Sequence, residues 1–226
     1  MFITSKCQEP GCTKNSLTVF SGNGYITEAP GFCLEHSENK EEAEKSILDY
    51  INRNDKIIGL SACGITFDGI ELKNKKFYGC NFQHCNFKNV HSDNLRIKMC
   101  MFDFSTFTDC DFLESHFQFN SLAGSKLVHV IFTGSDLVHN NFNGITSYQS
   151  SFDNSDLYNS SFIKAVLLNT SMKNCNLKKT IFYESVRNNV SFKLSNTKEA
   201  LVDRNKASKI ELISTDETEE DKGSPL

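Results

Sequence analysis

A five-residue repeat constrains this chain more than any other feature of its sequence. Counting in steps of five from Phe67 to Phe192 gives 26 positions without an insertion or deletion, and 23 of them are Phe, Leu, Ile or Met. Two places before each of these central residues the side chain is nearly always small, as at Cys85, Ser105 and Ala165. A period of five matches neither a helix nor a strand, so neither element alone places these side chains on one face.

A chain that turns once every five residues accounts for the pattern. Four such pentads make a coil of 20 residues, in which the large central residue and the small residue before it both point to the axis. Ser92, Ser147 and Arg187 interrupt the central register. We expect Arg187 to mark the C-terminal end of the stack, since an unpaired buried guanidinium is strongly destabilising. The predicted core includes Phe82, Phe102, Phe112, Phe132, Phe152 and Phe162.

Several pentads resemble a known family, the pentapeptide repeat proteins, whose repeats read small, Asp or Asn, Leu or Phe, then two free positions. The stretches that carry the resemblance are CNFQH, CDFLE, SDLVH, SDLYN and CNLKK, and it covers about residues 65–194. It implies an all-β solenoid, a right-handed quadrilateral β-helix of about 6.5 coils. We expect a small α/β cap module at its N-terminus and a short helical cap at its C-terminus, because a solenoid must cover both open ends.

The N-terminal cysteines follow a different pattern. Cys7, Cys12, Cys33 and His36 read C-x4-C-x20-C-x2-H, and CQEPGC and GFCLEH resemble small treble-clef or knuckle-like zinc modules. Three thiolates and an imidazole suit a structural, tetrahedral zinc ion, because four protein ligands leave no open position for catalysis. The alternative is that they are incidental thiols in a Cys-rich chain. Cys63 is either a spare ligand or part of an irregular first coil.

The other cysteines fall on the small inward position, where a free thiol packs as a small hydrophobe. They are Cys80, Cys85, Cys100, Cys110 and Cys175. The chain starts without an export signal and has no apolar run long enough for a membrane helix. Reduced thiols therefore agree with a soluble, cytoplasmic protein.

The segments that flank the repeats predict caps. Asn39 and Glu42 form a helix start, and an apolar stripe continues to about Asn54, which predicts a lid on the first coil. Asn196 and Glu199 predict a second short helix. The expected organisation is a zinc module at 1–37, a capping helix and entry to the first coil at 38–64, the β-helix at 65–194, a cap at 195–213 and a disordered acidic tail at 214–226.

Charge divides the repeats into three parts. Residues 65–98 carry a net +3, 99–160 a net −6 and 161–194 a net +5. The resemblance makes this relevant, because quinolone-resistance and gyrase-inhibitor members of the family are thought to imitate a DNA duplex and bind type II topoisomerases. The candidate partner-binding residues are the acidic belt and two outward tyrosines: Asp103, Asp109, Asp111, Glu114, Asp136, Asp153, Asp156, Tyr148 and Tyr158.

No catalytic motif is present in the sequence, since it has no phosphate-binding loop, nucleophile elbow or H-E-x-x-H. We therefore expect a non-catalytic protein-interaction scaffold, without a membrane or a small-molecule substrate. Topoisomerase binding by DNA mimicry is the first alternative. The unbroken register, which leaves no room for extra loops, and the zinc-like module argue against it. Nucleic-acid binding through the zinc module and the basic ends is the second.

Overall fold

A capping helix precedes the coils, as its sequence predicts. The computed structural model describes residues 5–202, and in it helix α1 spans Lys40–Arg53. The Asn39 side chain accepts a hydrogen bond from the Glu42 amide (3.1 Å), as an N-cap residue does, and donates one to the Glu42 carboxylate (3.3 Å). Ile47 and Ile51 are buried, so the apolar stripe of the helix packs onto the first coil.

Short parallel strands build the coils, each followed twenty residues later by its partner. Thr66–Asp68 pairs with Asn86–Lys88, which pairs with Thr106–Thr108. The thirteen strands are β1 Lys56–Ile58, β2 Thr66–Asp68, β3 Lys76–Tyr78, β4 Asn86–Lys88, β5 His91–Asp93, β6 Arg96–Lys98, β7 Thr106–Thr108, β8 Asp111–Leu113, β9 His116–Gln118, β10 Lys126–Val128, β11 Thr146–Tyr148, β12 Val166–Leu168 and β13 Val186–Asn188.

Each coil has four sides, numbered here in chain order. Side 1 begins at Lys56 and holds the sheet β1-β3-β6-β9, and side 3 holds the sheet β13-β12-β11-β10-β7-β4-β2. Side 4 holds the pair β5-β8, and isolated parallel bridges continue it and form side 2. On each side the residues before and after the central residue point outward. We call the resulting rows, which run along the stack, the leading column and the trailing column.

Rows of stacked rings fill the interior. Phe112, Phe132 and Phe152 lie face to face on side 4, with centroids 5.4 and 5.2 Å apart. Phe112 also meets Phe107 and Phe117 edge-on. The six predicted core phenylalanines are at most 3% exposed, so all six lie in the interior of the stack. Burial of side chains of this size, about 1.5–3 kcal/mol each, is the main stabilisation of such a stack.

The small inward residues are small for two reasons. They leave room for the rings, and many carry a hydroxyl that binds the backbone of the preceding coil. Ser125, for example, accepts from the Ser105 amide (3.1 Å) and donates to the Phe102 carbonyl (2.7 Å). At the interruptions of the register, Ser147 bonds Thr170, and the buried hydroxyl of Ser92 has no partner among the described residues.

A residue with positive φ ends almost every pentad. Asn, Gly, His and Lys recur there, and Asn89 and Asn94 are two examples with φ of 51° and 54°. At one of these turns glycine also makes room for a neighbour. A Cβ on Gly124 would lie 2.7 Å from the ring of Phe104, which is 61% exposed.

The stack is longer than the predicted 65–194. Ile57 and Ala62 already occupy central positions and are fully buried, and at the other end Asn196 and Leu201 pair with Asn176 and Ile181. At 20 residues per coil, Lys56 to Leu201 makes just over seven coils rather than 6.5.

The expected C-terminal helix was wrong where the structure describes it. Residues 195–202 continue the coil with a turn and a bridge instead. Asn196 and Glu199 suit a pentad as well as a helix start, and pairing to the preceding coil decides between them. The remainder of the predicted cap and the acidic tail lie outside the described residues.

Candidate metal centre

Two short loops bring the four predicted ligands together. In the first loop Lys6 and Asn15 pair as antiparallel neighbours, and the Cys12 amide bonds the Glu9 carbonyl (3.0 Å) across a turn in which Gly11 has φ of 82°. Pro10-Gly11 is the sequence of such a turn, because proline presets one φ and glycine allows the positive one. Cys7 and Cys12 therefore end on the same side of the loop.

The second loop is a single turn of 3-10 helix, Leu34–His36. The His36 amide bonds the Cys33 carbonyl (3.0 Å), which returns the imidazole to the thiol at the start of the turn. Gly31, just before it, packs closely on the hairpin, since a Cβ there would lie 2.8 Å from Val19. The hairpin itself turns at Asn23-Gly24, with Phe20 paired to Ile26.

The distances between ligand atoms fit one tetrahedral metal ion. His36 Nδ1 lies 3.5 Å from the sulfur of Cys7 and 3.4 Å from that of Cys33, and the sulfurs of Cys12 and Cys33 are 4.0 Å apart. All four atoms lie within 4.8 Å of one another. With bonds of about 2.3 Å to sulfur and 2.0–2.1 Å to nitrogen, a tetrahedral zinc site has edges of about 3.5–3.8 Å. The cluster can therefore hold a metal.

Hydrogen bonds favour the thiolate that a metal requires. Burial raises the pKa of the Cys7 thiol, but the amides of Cys33 and Glu9 donate to its sulfur at 3.3 and 3.5 Å and, with the contacts to His36 and Cys33, bring the pKa down to about 6. The pKa of Cys12 is raised, because burial and the neighbouring thiols of Cys7 and Cys33 outweigh the hydrogen bond from the Lys14 backbone. Metal ligation needs deprotonated thiols.

The module that carries the cluster is bound to the first coil. The Thr18 amide donates to the Ser61 carbonyl (2.9 Å), the Ser61 amide donates to the Thr18 hydroxyl (2.7 Å), and the Ser61 hydroxyl donates to the Ser16 carbonyl (2.6 Å). A hydrogen bond from the Asn15 side chain to the Gln83 side chain (3.0 Å) adds a contact with the second coil. The module thus covers the open strand edge on side 2. The sequence predicted a cap on the first coil but did not indicate which side the module covers.

Cys63 is not part of the cluster. It lies on side 2 in the first coil, which is regular rather than irregular, and its thiol donates to the Asn81 side chain (3.5 Å). Together with Cys33 it lines an open cleft of about 620 Å³ between the module and the coils. Burial raises the pKa of the Cys63 thiol, so it stays neutral.

Lys75 is a residue whose role sequence reasoning missed. It occupies an inward position that is elsewhere small and is only 8% exposed. Its ammonium group donates to the carbonyls of Asn52 (3.3 Å) and Asn54 (3.0 Å) at the C-terminal end of α1, where a cation is favourable. The sequence did contain a signal for this role. A lysine stands at an inward position that is small in other pentads, one coil after the predicted end of the helix.

The acidic belt surrounds the rod rather than forming one patch. Asp103 lies on side 2, Asp111 and Asp153 on side 4, and Asp136 and Asp156 on side 1. Asp109 and Glu114 lie at turns between sides. Several of these carboxylates bind their own chain: Asp153, for example, accepts from the Ser171 hydroxyl (2.6 Å) and the Lys173 amide (2.7 Å).

The two tyrosines predicted as partner contacts lie on different sides. Tyr148 is 39% exposed on side 3, and Tyr158 lies on side 1, two residues after Asp156, with the ammonium of Lys179 5.7 Å from its ring. The structure therefore does not place them on one surface. Among the described residues no helix is long and apolar enough to cross a membrane.

The stacked parallel coils and their central rows of rings define this chain as a β-solenoid. Residues 149–186 match the family model of pentapeptide repeats in eight copies. These residues are pentapeptide repeats, and the coils on either side of them continue the same five-residue register.

Comparison with solved structures gives neighbours of the same description at low identity. Full-length QnrB1, a plasmid-mediated fluoroquinolone resistance protein, is 15% identical, with a TM-score of 0.36, over 65% of this chain and 86% of that one. The pentapeptide repeat protein Rfr23 from the cyanobacterium Cyanothece 51142 is 12% identical, with a TM-score of 0.35, over 70% and 97%. No curated protein matches the chain.

Proposed function

We propose that this protein is a non-catalytic, cytoplasmic scaffold that binds a protein partner through one side of its coil stack. The observation that carries the proposal is the register of the outward columns. Because each strand pairs with the strand twenty residues on, as Lys126–Val128 does with Thr146–Tyr148, every outward side chain has a fixed position on a rigid core. Such pre-ordered surfaces lower the entropic penalty of association.

The test is affinity capture with side-specific variants. The full chain is used as bait beside Tyr148→Ser on side 3 and Tyr158→Ser on side 1, which remove the same side chain from two different surfaces. A partner that uses one side is lost with one variant and retained with the other. Partners retained by both variants, and by charge changes on sides 2 and 4, would contradict recognition through a side.

We propose further that the cluster of Cys7, Cys12, Cys33 and His36 binds zinc and that this zinc is structural. The support is the donor set: three thiols and an imidazole with contacts of 3.4–4.0 Å suit zinc, whereas hard cations prefer oxygen ligands. Bound zinc would link the two loops of a module that has few buried apolar side chains of its own.

Metal analysis tests this assignment directly. We expect about one equivalent of zinc per chain in the purified protein and none in Cys33→Ser. Cys63→Ser is the matched control, because Cys63 lies beside the cleft but outside the cluster, and it should keep the full equivalent. A parent protein without metal, or a Cys33→Ser variant that retains it, would overturn the assignment.

Topoisomerase binding by DNA mimicry is supported by one feature, the net −6 of residues 99–160. The acidic residues lie on sides 1, 2 and 4 and at two turns, a distribution that resembles the all-round charge of a duplex more than a local docking patch. A supercoiling assay with and without a quinolone tests it, and it fails if the protein neither inhibits nor protects the enzyme. Nucleic-acid binding through the module and the basic ends predicts affinity that falls steeply with salt.

A further inference from the structure

Side 1 carries charges that change sign along one straight column. Its leading column reads Lys56, Lys76, Arg96, His116, Asp136 and Asp156 and continues through the uncharged Asn176 and Asn196, and each of these residues is paired in register with the next. We call Lys56, Lys76 and Arg96 the basic half and Asp136 and Asp156 the acidic half, with His116 between them. The sequence hides this arrangement, because the six residues are twenty apart.

The basic half has no counter-charge of its own. None of the ion pairs found among the described residues includes a side chain of Lys56, Lys76 or Arg96, although strand pairing stacks them about 4.8 Å apart. Like charges at this spacing repel each other. In the trailing column Lys98 adds a fourth cation, which lies 5.5 Å from the ring of Phe119.

Hydrogen bonds hold the acidic half in place. Asp136 accepts from the Gln118 side chain and lies 3.6 Å from His116. Asp156 accepts from the Tyr158 amide and the Asn176 side chain, both at 2.9 Å. These contacts hold the two carboxylates in place without a lysine or arginine partner. His116 is the one basic side chain among the contacts named.

We infer that side 1 binds side 1 of a second copy of this chain, with the two rods antiparallel. A two-fold axis in the plane of side 1, perpendicular to the rod and between the coils of Arg96 and His116, places each column opposite the same column of the other copy. Lys56 then faces Asp156 of the second copy, and Lys76 faces Asp136. Because the axis relates the copies, every pair is formed twice.

The trailing column agrees with the same axis. It reads Ile58, Tyr78, Lys98 and Gln118, and continues through Val138 and Tyr158 to Lys178 and Lys198, which lie beyond the overlap. The operation places Ile58 opposite Tyr158 and Tyr78 opposite Val138. These apolar pairs include Ile58, which is 57% exposed in the single chain. The two columns thus agree on one arrangement, in which two pairs of opposite charge and two apolar pairs form, while Arg96 meets His116 and Lys98 meets Gln118.

The residues at the corner between side 1 and side 2 also fit this two-fold axis. Met99 and Phe119 follow Lys98 and Gln118 at the turns from side 1 to side 2, and they are 51% and 48% exposed. The same axis places Met99 of one copy beside Phe119 of the other. A nucleic-acid strand suits this surface less well, since it would run from the basic half onto Asp136 and Asp156.

The size of the surface sets the expected strength. Six coils spaced about 4.8 Å apart, on a side about 10 Å wide, give a flat contact area of about 300 Å² per copy. A standard protein–protein interface buries about 800 Å² per partner, so this contact area is small. We therefore expect a dimer with a dissociation constant of about 10 μM or weaker. It would form at high local concentration and leave the other three sides free for the proposed scaffold function.

Charge exchange between the two halves tests the inference. Sedimentation equilibrium of the full chain from about 1 to 1000 μM should show a monomer and dimer. Lys76→Glu and Asp136→Lys should each weaken the dimer at least about tenfold, because two like-charge contacts form in each dimer. An equimolar mixture of these two variants should form a heterodimer about as tight as the parent, since every pair is then opposite in charge.

The control is Lys88→Glu, which makes the same charge change on side 3 and should leave the dimer unchanged. A chain that stays monomeric to 1000 μM overturns the inference. So does a dimer that Lys76→Glu does not weaken, or a failure of the mixed variants to associate although circular dichroism shows both to be folded. None of these outcomes bears on capture of a different protein by sides 2 to 4, so the scaffold proposal is tested separately.

Discussion

The cysteines of the coil stack and those of the N-terminal module show how the same residue serves two purposes. In the stack, Cys110 and Cys175 lie on the inward position, and burial raises the pKa of each to about 11. In the module, hydrogen bonds to the Cys7 sulfur bring its pKa to about 6. The stack thus uses cysteine as a small apolar side chain, whereas in the module the hydrogen bonds around Cys7 favour its charged form. The pKa of the neighbouring Cys12 is raised, so the surroundings of each thiol decide which form is favoured.

The two regions also differ in what stabilises them. The stack has a continuous row of rings and repeats each contact in every coil. The module, by contrast, has Leu17, Cys7 and Cys33 as its buried apolar side chains, and it depends on the cluster and on its contacts with Ser61. We therefore expect a defect in the stack to affect the whole molecule and a defect in the module to remain local.

The largest effect should follow Phe112→Ala. Phe112 is 2% exposed and touches three other rings, so its loss leaves a cavity that costs about 3–5 kcal/mol in the free energy of unfolding. Urea denaturation followed by circular dichroism measures it. Leu113→Ala, at the adjacent outward position, should change little. A variant as stable as the parent would contradict the stacked core.

Removal of the cluster should affect the module alone. In Cys33→Ser, or after chelation, we expect amide exchange to accelerate over residues 5–37 while coil amides keep their protection, since stability can be lost region by region. The stack should lose no more than about 1–2 kcal/mol, through the hydrogen bonds at Ser61. Hydrogen exchange with mass spectrometry measures both regions. Equal acceleration in the coils would show that the two regions form one cooperative unit.

Lys75→Met tests the junction between the regions. The change keeps the length of the side chain but removes two charged hydrogen bonds to carbonyls at the end of α1, so we expect a loss of about 1–2 kcal/mol. The loss should appear as faster exchange in α1 and the first coil. Lys73→Met removes an equal charge from an exposed position and serves as the control. Equal effects of the two variants would exclude a specific role for Lys75.

The smallest effect concerns pH and an outer turn of the stack. The hydrogen bond to Asp109 (2.9 Å) and that to Gln149 (2.9 Å) raise the pKa of His129. Its protonated form is therefore favoured in the folded chain. The resulting stabilisation is fully present below the unfolded pKa near 6.5 and is lost as the pH rises through the higher folded pKa.

The difference in melting temperature between parent and His129→Gln should accordingly be larger at pH 5 than at pH 8. Asp109→Asn should remove most of this pH dependence, because it removes the main cause of the raised pKa. Because the group is exposed, the shift in melting temperature should be small. A pH-independent difference would assign the role of His129 to packing instead.

Much of this structure could be predicted from the sequence, because the repeat is local and regular. The register predicted that Phe112 lies inside, and the spacing of Cys7, Cys12, Cys33 and His36 predicted the cluster that the structure brings together. The contacts that sequence reasoning missed join distant segments. Lys75 binds a carbonyl at the end of α1, and residues 16–18 lie against the strand edge of Ser61. The lysine at a small inward position was a signal for the first contact, whereas no local pattern indicates the second.

The straight outward columns also limit how the chain can change in length. Inserting a whole coil of twenty residues preserves every column and only lengthens the rod. Inserting a single residue shifts all later positions by one and turns the following central rings toward solvent. A duplicated coil between Arg96 and His116 would move Lys76 and Asp136 each half a rise further from the proposed axis. The columns therefore stay straight only when the length changes by complete turns, and a turn added before His116 also moves the point at which the charge of side 1 changes sign along the rod.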